Sequence, residues 1–252
     1  LSMVVSGCTL VLLDSWLPAD IFRVAAEFRV TGISAVPAIW SDMRRAGVQF
    51  DTAARHATLR YITVSGGDLP PEQLASLPLL APGVGIYKTY GQSEAFRATC
   101  LRPEEFADRP RSVGRAFGDA RIHIVREDGG RCHPEEEGEI VHTGLGTMLG
   151  YLGGQDPEHK LRPNPFCAEG DPAPLAVYTG DLGHLDAAGY LYVHGRRDGM
   201  LKVSGNRVYP KEVSNQLTAI AGLVEAEVIG VKGEDGVTQL FGFVTLAAGA
   251  AL

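Results

Sequence analysis

The fold is decided by residues 32–89, which read GISAVPAIWSDMRRAG (32–47), LRYITV (59–64), PPEQLASL (70–77) and VGIYKT (84–89) in order. Short apolar runs alternate there with segments of helical character, and the helical segments open on prolines, which a first helical turn tolerates. Upstream, CTLVLL (8–13) reads as a strand. Residues 18–30 read as a helix whose Ile21, Val24, Ala25 and Phe28 fall on one face. Repeated βαβ units of this kind imply a largely parallel sheet with helices packed on it. Ligands of such sheets bind at the carboxyl ends of the strands, which points to the loops after Val64 and Thr89.

After about Ser112 the texture changes to short strands joined by DG and AG turns: ARIHIVREDGGR (120–131), GEIVHTG (138–144), LAVYTGD (175–181) and GYLYVHG (189–195). This pattern predicts an antiparallel sheet or small barrel. Residues 156–174 hold five prolines and no period, and are expected to form a surface loop. A helix over 210–221 and strands EAEVIGV (225–231) and TQLFGFVTL (238–246) follow, an α+β piece. The expected fold class is therefore α/β, with parallel βαβ layers, then an antiparallel sheet or barrel, then the start of a small α+β domain. The expected division is a partial large domain at 1–197, its βαβ part at 1–111 and antiparallel part at 112–197. A hinge and partial small domain follow at 198–252.

The 252-residue chain is 45% hydrophobic and 21% charged, with net charge -7. An acidic balance and pI near 5.5 argue against a nucleic-acid or membrane-surface partner, both of which need a basic face. Cys8, Cys100, Cys132 and Cys167 form no CxxC pair, so we read them as reduced thiols, mostly filling core, in a cytoplasmic setting. The opening LSMVVSGCTLVLLDSW lacks the pattern of a signal peptide, and the thirteen residues before Asp14 are too few to span a bilayer as a helix. Both termini look like cuts through a longer chain. The seven histidines form no HExxH and read as ordinary surface or core residues. GLGTMLG (144–150) misses the GxGxxG spacing, and no GxxxxGK[ST] occurs.

Four stretches carry chemistry. GRRDGMLKVSGNRVYPKE (195–212) gathers Arg196, Arg197, Lys202, Arg207 and Lys211 against Asp198 and Glu212, a local reversal of sign that suits an anion, or else a solvated loop. TYGQSEA (89–95) offers Tyr90 as a flat face, Gly91 for close backbone approach, and Gln92 and Ser93 as polar groups. Its Glu94 is a hard carboxylate for Mg²⁺ or, alternatively, a helix N-terminal acid. VSGGDLPPE (64–72) could admit a ligand at Gly66 and Gly67, or be a tight turn with Asp68 near a helix cap. In VYTGDLG (177–183), Asp181 could take the vicinal hydroxyls of a ribose or be a structural turn residue.

Together and in this order, SGGD (65–68), YGQSE (90–94), GEIVHTG with GY (138–151), YTGD (178–181) and the 195–212 connector resemble the adenylate-forming enzymes. These include AMP-dependent acyl-CoA ligases, peptide-synthetase adenylation domains and luciferases. The texture of residues 90–117 and of the connector is most similar to the acyl-CoA ligases associated with the exosortase A system. The resemblance implies an ATP-dependent acid–thiol ligase with ATP/AMP, Mg²⁺ and CoA, acting on a carboxylic, expectedly fatty, acid. A carrier protein as thiol acceptor, or a non-catalytic nucleotide-binding remnant, are the alternatives. It implies that Gly66, Gly67 and Asp68 border the adenine, that Tyr90 stacks on it with Gly91 and Gln92 alongside, and that Ser93 meets the α-phosphate. Glu94 would hold Mg²⁺, while Asp181 and Arg196 would hold the ribose. Asp198 would be the hinge, and Lys202, Gly205 and Arg207 would face the pantetheine. Family enzymes line the acyl pocket near SAVPAIW and YKTYGQSE, so Val36, Trp40 and Thr89 are candidates there; Trp40 and Phe50 also read as core.

The family's phosphate-loop lysine and its late catalytic lysine have no counterpart in these 252 residues. Both supply charge to reacting phosphates. The polypeptide by itself is therefore expected not to complete adenylation at a normal rate, and ATP-dependent acyl-CoA formation by the purified chain would refute this.

Overall fold

The computed structural model describes residues 5–156, 159–167, 174–197, 199–203, 206–232, 238–247 and 249, with backbone only at 202, 206, 207, 232 and 238. The chain packs as two compact units, one comprising Leu1–Leu69, Gln73–Lys88 and Arg102–Pro110, the other Pro70–Glu72, Thr89–Leu101 and Arg111–Leu252.

In the first unit, helices α1 (Pro18–Glu27), α2 (Pro37–Arg45) and α3 (Pro71–Leu80) alternate with strands β1 (Gly32–Ala35), β2 (Tyr61–Val64) and β3 (Gly85–Tyr90). The strands pair in parallel, with Ile33 beside Ile62 and Ile62 beside Ile86. Strand β3 carries the chain into the second unit. A short helix, α4 (Pro103–Phe106), also belongs to the first. Trp40 locks the layers together: its side chain is 1% exposed, and its indole N–H reaches Ala35 O at 3.2 Å and Thr63 O at 3.1 Å. The indole thus serves the core rather than an open pocket, whereas Val36 stands 48% exposed.

Two expectations fail in this unit. Residues 8–13 form no strand, and Leu10, Leu12 and Leu13 are exposed. A strand needs a neighbour to complete its ladder, and among the described residues none pairs there. Helix α1 stops at Glu27, and Arg29 takes φ 50°, so Phe28 lies beyond the helix and is 57% exposed. Phe22 takes the core position instead, its ring 4.3 Å from Phe50 and edge-on to His56.

The second unit begins with an antiparallel pair, β4 (Thr99–Leu101) and β5 (Arg115–Ala116). Its main sheet is antiparallel and open, in the order β10 (Leu191–Arg196), β9 (Leu175–Leu185), β7 (Gly138–Thr143), β6 (Arg121–Val125), with β8 (Leu161–Pro163) also pairing β9. Of the two forms expected, this is the sheet and not the barrel. Strand β8 lies inside the stretch expected to be loop; its ladder with 175–177 ends at Pro163, which has no N–H to extend it. Val113, Ile124, Ile140 and Leu191 form the core, and Tyr90 packs against it. The pair β11 (Leu201–Val203) and β12 (Asn206–Val208) lies within the connector. Helix α5 (Pro210–Thr218) and the antiparallel pair β13 (Leu223–Lys232) and β14 (Thr238–Leu246) complete the unit, tied where Val228 N–H donates to Ser214 Oγ at 2.9 Å. None of the four cysteines is in a disulfide; Cys132 packs against the core, whereas Cys8 and Cys167 are exposed, correcting the core-filling expectation for those two.

Replacing Trp40 by Ala is expected to lower stability by about 3–5 kcal/mol, and Trp40→Phe, which loses the two hydrogen bonds and part of the ring but keeps an aromatic side chain, by about 1–3 kcal/mol. Denaturant unfolding checks both, and a Trp40→Phe variant as stable as the wild type would contradict the role given to the indole N–H.

Candidate functional site

The site in the second unit is built around Asp181, in the middle of β9. Opposite it on β7 the register slips: Tyr178 faces Val141 and Leu182 faces Glu139, so three residues of β9 are spanned by Ile140 alone. Gly180 takes φ 72° in this bulge. A second irregularity, at His194, leaves Arg196 directly opposite Asp181. Bulges re-aim side chains, and these two turn Asp181 toward a common centre with Arg196. Asp181 therefore lies within a strand, which removes the structural-turn alternative.

The Asp181 carboxylate, 11% exposed, receives three side chains. Tyr90 OH donates to Oδ2 at 2.6 Å, and Gln92 Nε2 donates to the same oxygen at 2.7 Å and to Thr179 O at 3.0 Å. Arg196 Nη1 lies 3.4 Å from Oδ1 and donates to Thr179 O at 2.9 Å. Burial pushes the Tyr90 phenol far above its usual value, and the neighbouring carboxylate pushes the same way, so Tyr90 stays a donor. Gln92 Oε1 is buried without a partner. The loop that presents these residues closes on itself, with Gln92 and Ala95 exchanging backbone hydrogen bonds at 3.1 and 3.2 Å. Only glycine fits at 91, because a Cβ there would stand 2.6 Å from the Arg97 nitrogen.

Glu94 faces a second group. Tyr151 OH donates to its Oε1 at 2.8 Å and Lys160 Nζ to the same oxygen at 3.2 Å. No helix follows Glu94, so the helix-acid alternative falls. Burial raises the Glu94 carboxyl, but the bonds from Tyr151, its own backbone and Lys160 outweigh it and hold the group below its usual value. Burial and that same bond push Tyr151 up to about 12. Among the described residues no group of three or more His, Cys, Asp or Glu could hold a metal. The lone Glu94 carboxylate thus fits a hard cation that brings further oxygen ligands with its substrate. Ser93 is exposed beside it.

Of the remaining expected residues, Gly66 and Gly67 are exposed in the first unit, Gly66 at φ 83°. Asp68 Oδ1 lies 2.7 Å from Nζ of Lys88, which is 1% exposed and also reaches Pro110 O at 3.3 Å. Lys202 and Arg207 are register partners in the β11–β12 pair. Asp198 and Gly205 lie outside the described residues. Sequence reasoning missed Lys88, Tyr151 and Lys160 as named contributors. Tyr151 stood in a quoted GY, but Lys160 sits in an aperiodic stretch and Lys88 in an apolar strand, where no pattern marks them.

Tyr151→Phe should raise the Glu94 pKa, as read by carbon-13 NMR titration. In the wild type, the stability that a depressed carboxyl contributes is present above its unfolded value near 4.3 and is lost as pH falls through the lower folded value. An unchanged Glu94 titration in the variant would contradict the contact.

Residues 1–152 match the AMP-binding enzyme family model. The chain is 30% identical over 227 residues to a 2-succinylbenzoate–CoA ligase of Enterococcus faecalis, covering 90% of this chain and 44% of that protein. It is 30% identical over 242 residues to a 3-hydroxybenzoate/4-hydroxybenzoate–CoA ligase of Thauera aromatica, covering 94% and 43%. Among solved structures, the o-succinylbenzoate CoA synthetase of Bacillus subtilis in complex with the acyl-adenylate intermediate superposes with TM-score 0.81 at 26% identity, over 99% of this chain and 48% of that one. The same synthetase with ATP and a magnesium ion superposes at 0.79 and 26%, over 97% and 47%. The chain thus spans less than half the length of these relatives. With a family model matched over more than half of its residues, the chain belongs to the AMP-binding enzymes.

Proposed function

We propose that the chain carries the nucleotide-handling part of an AMP-forming acid–CoA ligase, in which Asp181 takes the ribose hydroxyls. The observation that carries this reading is the Asp181 carboxylate with Tyr90, Gln92 and Arg196 converging on it. Oδ2 already has two short bonds, while Oδ1 has only the 3.4 Å contact to Arg196. A ribose diol bonds most readily at Oδ1, with Arg196 giving way toward the nucleotide. Tyr90 lies against the adenine, Gly91 and Gln92 beside it, with Gly66, Gly67 and Asp68 along its border. Ser93 meets the α-phosphate.

In the first half-reaction an acid's carboxylate oxygen attacks the α-phosphorus, the bond to the bridging oxygen breaks, and pyrophosphate leaves. In the second, the CoA sulfur attacks the acyl carbon, AMP departs with the mixed-anhydride oxygen, and the thiol proton goes to solvent. Mg²⁺ at Glu94, when bound, neutralises phosphate charge. The chain's own residues position: Ser93 and Arg196 orient phosphate and ribose, and Tyr90 and Gln92 keep Asp181 aimed. Asp198 is the hinge between the half-reactions, with Lys202, Gly205 and Arg207 on the CoA side. The relatives' names support free CoA as acceptor over a carrier protein. They also favour an aromatic acid over the fatty acid expected from the sequence, since both are ligases of aromatic acids.

A non-hydrolysable acyl-adenylate analogue should bind the chain saturably in calorimetry, and Asp181→Ala should weaken it about 100-fold. Equal binding by the variant, or none by a chain shown folded by circular dichroism, would contradict the reading. A benzoyl analogue should bind more tightly than a dodecanoyl one; the reverse order would favour the fatty acid.

A further inference from the structure

Glu94 and Lys160 form an enclosed ion pair, with side chains 14% and 15% exposed. Lys160 is not a loosely hung surface cation. Its backbone N–H and that of Leu161 donate to the two Asp156 carboxylate oxygens at 3.0 and 2.8 Å, and its carbonyl accepts from Tyr178 N–H at 2.8 Å. The main chain is fixed at the start of β8, while the four-carbon stem gives the ammonium more than one reachable position. Both Lys160 and Tyr151 reach the same oxygen, Oε1, so their bonds leave Oε2 to other ligands.

Lys160 also lines a cleft of about 370 Å³ with Arg162, Arg196, Arg197, Tyr178, Gly180 and Glu139. Four cations against one carboxylate make that cleft attractive to anions. Glu139 is already engaged, 2.8 Å from Arg197 and accepting from Gly180 N–H at 3.1 Å. Arg196 links the cleft to Asp181.

A carboxylate this enclosed needs a positive partner, and removing the partner leaves an uncompensated charge. An ammonium and a divalent cation at one carboxylate repel each other strongly at such distances. Whichever holds Glu94 raises the cost of the other. When a cation arrives with a polyphosphate, the displaced ammonium has an anion to meet in the cleft that it already lines.

We propose that Lys160 is a resident counter-ion for Glu94 that competes with the divalent cation there and, on its binding, turns its ammonium to a phosphate of the bound nucleotide. Lys160 is thereby a positioning residue that sets the concentration at which metal is taken up. The inference rests on the reading of Glu94 as the metal ligand.

The test is Mn²⁺ affinity, read by electron paramagnetic resonance with AMP present, in the wild-type chain and in Lys160→Met, Lys160→Arg and Glu94→Gln. Lys160→Met should tighten Mn²⁺ about tenfold, Lys160→Arg should stay near wild type, and Glu94→Gln should lose the ion. The direction is diagnostic, because damage to a merely structural lysine weakens a site. Unchanged or weaker binding in Lys160→Met, with Glu94→Gln still losing the ion, overturns the role of Lys160 alone. Wild-type affinity in Glu94→Gln, or no Mn²⁺ binding by the wild type and Lys160→Met alike, overturns the metal reading and this inference with it.

Discussion

The arrangement depends on holding one nearly enclosed carboxylate, that of Asp181, inside a β-sheet. A charge in such a place is costly unless donors surround it. The chain meets that cost with residues far apart in sequence: Tyr90 and Gln92 from the loop after β3, and Arg196 from the neighbouring strand. The irregularity at 194 brings Arg196 into register with Asp181, and the one at 179–181 lifts Asp181 out of regular pairing with β7. Regular pairing at 194 would set Gly195, and not Arg196, opposite Asp181. The bulges are therefore part of the site.

Glu94 solves the same problem differently. Asp181 is satisfied mostly by neutral donors, whereas Glu94 is held by a neutral phenol and an ammonium on one oxygen. The first arrangement suits a carboxylate that receives hydroxyls. The second suits one that must exchange its cation. Two acids in one site are thus set apart by what closes around them rather than by residue type.

Much of this was legible in the sequence. The βαβ alternation of 32–89 and the hairpin texture after 112 correspond to the parallel strands and the antiparallel sheet, because local period and turn residues determine both. The segment 8–13 misled, since apolar character records a tendency to leave water but not the presence of a partner strand. Phe28 misled because the helix ends at Glu27, three residues short of the expected end at Val30. Asp181, Tyr90 and Glu94 could be singled out from short motifs, but what holds each of them could not. Lys160 and Lys88 carry no sequence pattern; a lysine looks alike in a solvated loop and in an enclosed ion pair until the fold supplies its neighbours.

The account stands or falls on where a nucleotide lies against Asp181. A crystal structure of this chain with AMP tests it directly. The ribose hydroxyls should bond the Asp181 carboxylate, with adenine against Tyr90 and the phosphate toward Ser93. AMP bound elsewhere, with the Tyr90–Asp181–Gln92 contacts undisturbed and no ligand at Oδ1, would contradict it.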